Sequence, residues 1–71
     1  MRPIRVHIAD DHAVLRAGLR LLIQSQADME VVGESGEVEE TLVALKETPP
    51  DVLTLDLSMP GGGGVSLLKR L

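Results

Sequence analysis

The 71-residue sequence contains no cysteine, so neither a disulfide nor a thiolate metal site is open to it. It has no Phe, Tyr or Trp either, so any core must be built from Leu, Val, Ile, Ala and Met, and base stacking on aromatic rings is excluded. Positive charge is scarce: 7 Lys and Arg stand against 11 Asp and Glu, a formal net charge of -4. Phosphate contacts need a basic face, which argues against direct nucleic-acid binding by this chain. No apolar run approaches the roughly 18 residues that span a membrane, and the opening MRPIRV lacks a signal-peptide core. These absences predict a cytoplasmic chain with no membrane association. Length adds a bound of its own, because a chain this short hides only about 60% of its unfolded surface and is marginally stable.

What is present is alternation. IRVHIA (4–9) carries Ile4, Val6 and Ile8 at strand spacing, and HAVLRAGLRLLIQS (12–25) places Leu15, Leu19, Leu22 and Ile23 at helical spacing. MEVVGE (29–34) reads as a short strand closed by Gly33. VEETLVALKE (38–47) repeats at Val38, Leu42 and Leu45 as an amphipathic helix, which Pro49 and Pro50 stop. VLTLD (52–56) is a third strand; Gly61 to Gly64 form a loop, and VSLLKRL opens a third helix. Strands alternating with helices imply βαβ units, right-handed crossovers and a parallel sheet. Residues 1–71 contain one domain at most, with no internal repeat.

Asp10 and Asp11 end the first strand, and Asp56 ends the third. No basic residue lies within five positions of Asp56 on either side. In a parallel α/β sheet, ligands bind beyond the carboxyl ends of the strands. If the first and third strands are neighbours, three carboxylates converge there, and their mutual repulsion is best relieved by a bound cation. Oxygen donors without cysteine suit a hard ion, Mg²⁺ above all. Asp11 has a simpler reading as the N-cap of the helix that starts near Ala13. Asp56 has no such alternative, because an unpaired acid at the end of a buried strand costs free energy.

ADDH (9–12), DLSMPG (56–61) and the spacing between them resemble the receiver domain of two-component response regulators. The wider pattern, IRVHIADDHAVLRAGLRLLIQ, then VVGE, then PPDVLTLDLSMPGGGGVSLLKRL, is similar to the NarL/FixJ (LuxR) type. The resemblance implies a flavodoxin-like (CheY-like) doubly wound parallel sheet, here three βα units in strand order 2-1-3. It implies a phosphoacceptor signalling module and not an enzyme, with Asp56 taking a phosphoryl group from a sensor histidine kinase. It makes Asp11 the direct Mg²⁺ ligand, Asp10 the acid that holds the ion largely through water, and Ser58 a ligand through its backbone carbonyl. In that type a helix-turn-helix output domain binds DNA; none is present in residues 1–71, so this chain would reach DNA only through a missing domain. Receivers of this type have five βα units. The fourth-strand Ser or Thr and the fifth-strand Lys of the family have no counterpart here, so the third strand is expected to be an open edge and the chain marginal alone. A homodimer, strand-exchanged or edge-paired, is the expected remedy.

Other features are given smaller roles. Gly61 to Gly64 lack the Lys-Ser/Thr of a P-loop and read as a βα loop. His12 reads as a helix-start residue with a solvated ring, since Mg²⁺ prefers oxygen. His7 reads as a packed, hydrogen-bonded core histidine. The first helix carries two apolar stripes, Leu15–Leu19–Leu22 and Val14–Gly18–Leu21; one can face the sheet, and the other is either a surface on which the resemblance implies a kinase docks or one buried under a neighbouring element. Phosphatases of the haloacid dehalogenase type also use a strand-end Asp and Mg²⁺, but they carry a second acid where this chain has Ser58. A third reading, an association module without phosphotransfer, also remains.

Overall fold

In the computed structural model, which describes residues 2–61 and 63–70, strand and helix alternate. The elements are β1 (Ile4–Ala9), α1 (Ala13–Gln24), β2 (Met29–Ser35), α2 (Val38–Glu47), β3 (Val52–Leu55) and α3 (Gly63–Arg70). The three strands form one parallel sheet ordered β2-β1-β3, the expected arrangement. The central strand β1 serves both faces by simple alternation. Val6 and Ile8 pack with Ile23 of α1, while Ala9 packs with Val38 of α2, Met59, and Leu67 of α3. Ile4 shares their parity but is 41% exposed, because it lies at the start of the strand, beyond the packed layer.

β2 runs on to Ser35 instead of closing at Gly33. Its register against β1 slips by one residue, Val6 facing Val31 and His7 facing Gly33. The glycine is there for space: a Cβ at Gly33 would lie 2.7 Å from His7 Nδ1. His7 is accordingly a core histidine, 1% exposed, with Nε2 2.8 Å from Ser35 Oγ. Ser35 Oγ in turn lies 2.6 Å from Thr41 Oγ1, whose hydroxyl donates to the Glu37 carbonyl at 2.8 Å. This buried polar chain satisfies every member, which is the condition for tolerating it in a core.

α1 seats neither apolar stripe whole. Leu15 and Leu22 are more than half exposed, and only Leu19 of that stripe is packed against the core. The seated face is Arg16, Leu19, Arg20 and Ile23. α1 packs over β1 and β2. There Arg16 and Arg20 reach Glu34 of β2, at 3.4 and 2.8 Å. The Val14–Gly18–Leu21 stripe is exposed throughout, Val14 at 88%.

α2 ends at Glu47, one residue before its C-cap Thr48, as the two prolines require. α3 begins at Gly63, two residues earlier than the sequence suggests; Gly62, within the expected loop, lies outside the described residues. Gly63 has φ +74, and a Cβ on it would collide with the Leu57 carbonyl oxygen. The helix start is thus pressed onto the chain just past β3. Among the described residues β3 pairs with β1 alone, so its outer edge is open, as expected. No helix among the described residues is long and apolar enough to cross a membrane.

Candidate functional site

The β1–β3 ladder places Ala9 opposite Leu55, and the Asp56 amide extends it by donating to the Ala9 carbonyl at 2.9 Å. On the other side, the Asp10 amide donates to the Ser35 carbonyl of β2 at 2.9 Å. Both aspartates are therefore held by backbone at the carboxyl edge of the sheet. Asp11 follows in the turn into α1. Exposure of the three side chains grades from 7% for Asp10 through 17% for Asp56 to 31% for Asp11. The sequence expectation that three acids meet here is met: one carboxylate oxygen of each, together with His12 Nδ1, lies within 4.8 Å of all the others.

Asp56 is prepared as an anion. Ser58 donates to Oδ1 twice, through its amide at 3.0 Å and its hydroxyl at 2.9 Å. These two bonds, the amide's first, hold the Asp56 carboxyl down at about 2. Its other oxygen, Oδ2, is buried and accepts no hydrogen bond from any described residue. An ionised carboxylate with one oxygen backed and the other left bare toward two further acids calls for a cation. All the donors are oxygens apart from one imidazole, and a small divalent ion fits such a set. The resemblance points to the Ser58 carbonyl; its amide and hydroxyl are what the structure places on Asp56.

His12 starts the helix with an exposed ring, as the sequence suggests. Its ring is 62% exposed, yet Nδ1 turns inward, 3.1 Å from Asp10 Oδ1, 3.1 Å from Asp11 Oδ1 and 3.2 Å from Asp56 Oδ2. The last contact is close enough for an ion pair but lacks hydrogen-bond geometry. The hydrogen bond to Asp10, followed by the charge of Asp11, raises the His12 pKa above its usual value. His12 is also the N-cap of α1, with no capping bond from its own side chain. Asp11 is therefore not the cap, and the carboxylate that binds the turn is Asp10, whose Oδ1 accepts the His12 amide at 2.8 Å. The available signal was position: a residue directly after two strand-end acids, at a helix start, is held against them by the turn.

Two neighbours shape the site. Gly64 lets α3 approach, since a Cβ there would sit 2.9 Å from Leu57 Cα and 3.0 Å from the Asp56 carbonyl oxygen. The glycines thus pack against the strand end, in keeping with a βα connection and not a phosphate loop. Beside the acids, a cleft of about 320 Å³ opens between α1 and β3, with Leu15, Leu19, Thr54 and Leu57 in its walls.

The family model of the response regulator receiver domain matches residues 6–71. An uncharacterized transcriptional regulatory protein of Bacillus subtilis, YhcZ, is 45% identical over 94% of this chain and 31% of its own length. A protein-glutamate methylesterase/protein-glutamine glutaminase of Thiobacillus denitrificans is 46% identical over 96% of this chain, but the match takes in only 19% of that protein. Among solved structures, a LuxR-family two-component response regulator from Aurantimonas superposes with a TM-score of 0.90 at 34% identity, over 96% of this chain and 49% of that one. The chain therefore spans about a third or less of the curated relatives it matches. With the fold, the strand order and the family model in agreement, the chain belongs to the response regulator receiver domain family.

Proposed function

We propose that Asp56 is the phosphoacceptor of a two-component signalling system. The observation that carries this reading is the preparation of Asp56: ionised, with Oδ1 fixed by Ser58, at the edge of the sheet beside two other acids. A carboxylate oxygen of Asp56 attacks the phosphorus of a phosphohistidine on a sensor kinase. The P–N bond breaks, its electron pair returns to the kinase imidazole, and Asp56 becomes an acyl phosphate that water later hydrolyses. Asp10, Asp11, Asp56 and the Ser58 carbonyl would hold Mg²⁺, which when bound neutralises charge on the phosphoryl oxygens. Ser58, lacking a carboxylate, leaves no second acid for the haloacid dehalogenase chemistry.

The residues 1–71 are a receiver module; a DNA-binding output would belong to a separate domain of a longer cytoplasmic protein, as the relationship to transcriptional regulators suggests. The open edge of β3 is where a second copy would pair. Incubation with acetyl phosphate and Mg²⁺, read by intact mass spectrometry, tests the central claim. Wild-type protein should gain one phosphoryl group and Asp56→Asn none. No gain by the wild type, or an equal gain by Asp56→Asn, would reject Asp56 as the acceptor.

A further inference from the structure

Three elements meet at one arginine beside the acids. Arg16, in the first turn of α1, has its amide bonded to the His12 carbonyl at 2.8 Å and sends its side chain back to the end of β1. There Nη1 donates to the backbone carbonyl of Asp10 at 2.9 Å, while Nε lies 3.4 Å from Glu34 Oε1 on β2. Glu34 is held by its other oxygen, which accepts from Arg20 at 2.8 Å. The guanidinium occupies a space that Gly36 leaves open. A Cβ on Gly36 would stand 3.2 Å from Arg16 Nη1 and 3.9 Å from both the Asp10 carbonyl oxygen and Asp11 Cα. Asp10 is tied at its amide by the Ser35 carbonyl and at Oδ1 by the His12 amide. Its carbonyl belongs to the peptide that leads to Asp11, and the bond from Arg16 sets the plane of that peptide. Because a peptide is planar, fixing its carbonyl also fixes the N–H and Cα that follow, and with them the point from which the Asp11 side chain departs.

We propose that Arg16 is a positioning residue for the acidic site: docked on Glu34, its guanidinium fixes the Asp10–Asp11 peptide and thereby holds the Asp11 carboxylate beside those of Asp10 and Asp56. This rests on reading the cluster as the metal site of the phosphoacceptor. Asp11 is the most exposed of the three acids, at 31%, and so depends most on its backbone for direction. Arginine suits the task because its planar fork reaches two acceptors at once, whereas lysine offers a single ammonium. Leu19 and Ile23 carry the packing of α1 on the sheet, so the guanidinium can be removed without undocking the helix.

Arg16→Met keeps the apolar stem and removes the guanidinium, and two readouts decide the point. In NMR spectra of the protein without added metal, the Asp10 carbonyl carbon and the Asp11 amide should shift. Mg²⁺ affinity measured by calorimetry should fall by on the order of tenfold. Arg16→Lys should show the same loss. In Arg16→Ala, added methylguanidinium should return both the Asp11 amide signal and the affinity, and tetramethylammonium should return neither. Should Arg16→Met fail to fold by circular dichroism, Gly36→Ala, which crowds the guanidinium tip and alters no charge, must lower Mg²⁺ affinity in the same direction. A folded Arg16→Met with an unmoved Asp11 amide and unchanged Mg²⁺ affinity overturns the role of Arg16 and leaves Asp56 standing as the phosphoacceptor. A wild-type chain that binds no Mg²⁺ overturns the metal reading and this one together.

Discussion

Ser58 grips Asp56 through both its amide and its hydroxyl, each donating to the same oxygen, Oδ1. The two bonds depress the Asp56 pKa from its ordinary 3.8 to about 2. A depressed carboxylate adds stability that is complete above the unfolded value and is lost as pH falls through the folded one. For Asp56 that window runs from 3.8 down to about 2. Ser58→Ala keeps the amide bond and removes the hydroxyl, so the Asp56 pKa should rise toward 3.8. Carbon-detected NMR titration of the carboxyl groups reads the shift directly; an unmoved Asp56 would show the hydroxyl to be idle.

His7 predicts a second pH response in the opposite range. Burial lowers its pKa below 6.5, against the opposing pull of Glu40 and Glu34. Below pH 6.5 the unfolded chain takes up a proton that the folded chain refuses, so stability declines from pH 6.5 down to the lowered folded value. Urea melts across pH 7.5 to 5 should show this decline, and His7→Leu should flatten it. Equal slopes in the two proteins would mean that another group carries the response.

The glycines of α1 and α3 should respond oppositely to alanine. Gly18 has open space around its Cβ position within a helix, so Gly18→Ala is expected to stabilise by about 0.5–1 kcal/mol. Gly64→Ala drives a methyl into the backbone at Leu57 and Asp56, and should destabilise by about 1–3 kcal/mol. Because the collision is with the chain that carries Asp56, phosphoryl uptake should slow as well. Denaturant melts and the acetyl phosphate assay separate the two effects.

Thr54 carries a buried hydroxyl that no described residue satisfies. It sits in the wall of the cleft beside Leu15 and Leu19. Thr54→Val replaces an unsatisfied oxygen with a methyl of similar size and should add about 1 kcal/mol to stability. A loss of stability instead would reveal a partner for the hydroxyl, such as an ordered water.

Much of this could be read from order and type of residue alone. Ile4, Val6 and Ile8 at alternate positions marked β1 as a strand, and Pro49–Pro50 marked the end of α2. Asp10, Asp11 and Asp56 at strand ends marked the carboxyl edge. These features are local: periodicity, backbone restriction and chain punctuation act within a few residues, and the amino-acid sequence by itself determined them. Other features arise between elements. The packing of α1 over β1 and β2 decided that Arg16 and Arg20 would be seated and Leu15 and Leu22 exposed. The one-residue slip at Gly33 answers to the His7 ring across the strand pair, and the early start of α3 answers to the backbone at Leu57. His12 is the sharpest case. In sequence it is a histidine beside acids, with its ring free to turn to solvent. Only when β1 and β3 align does Asp56 arrive opposite Asp10, and the three carboxylates together create the field that draws Nδ1 inward.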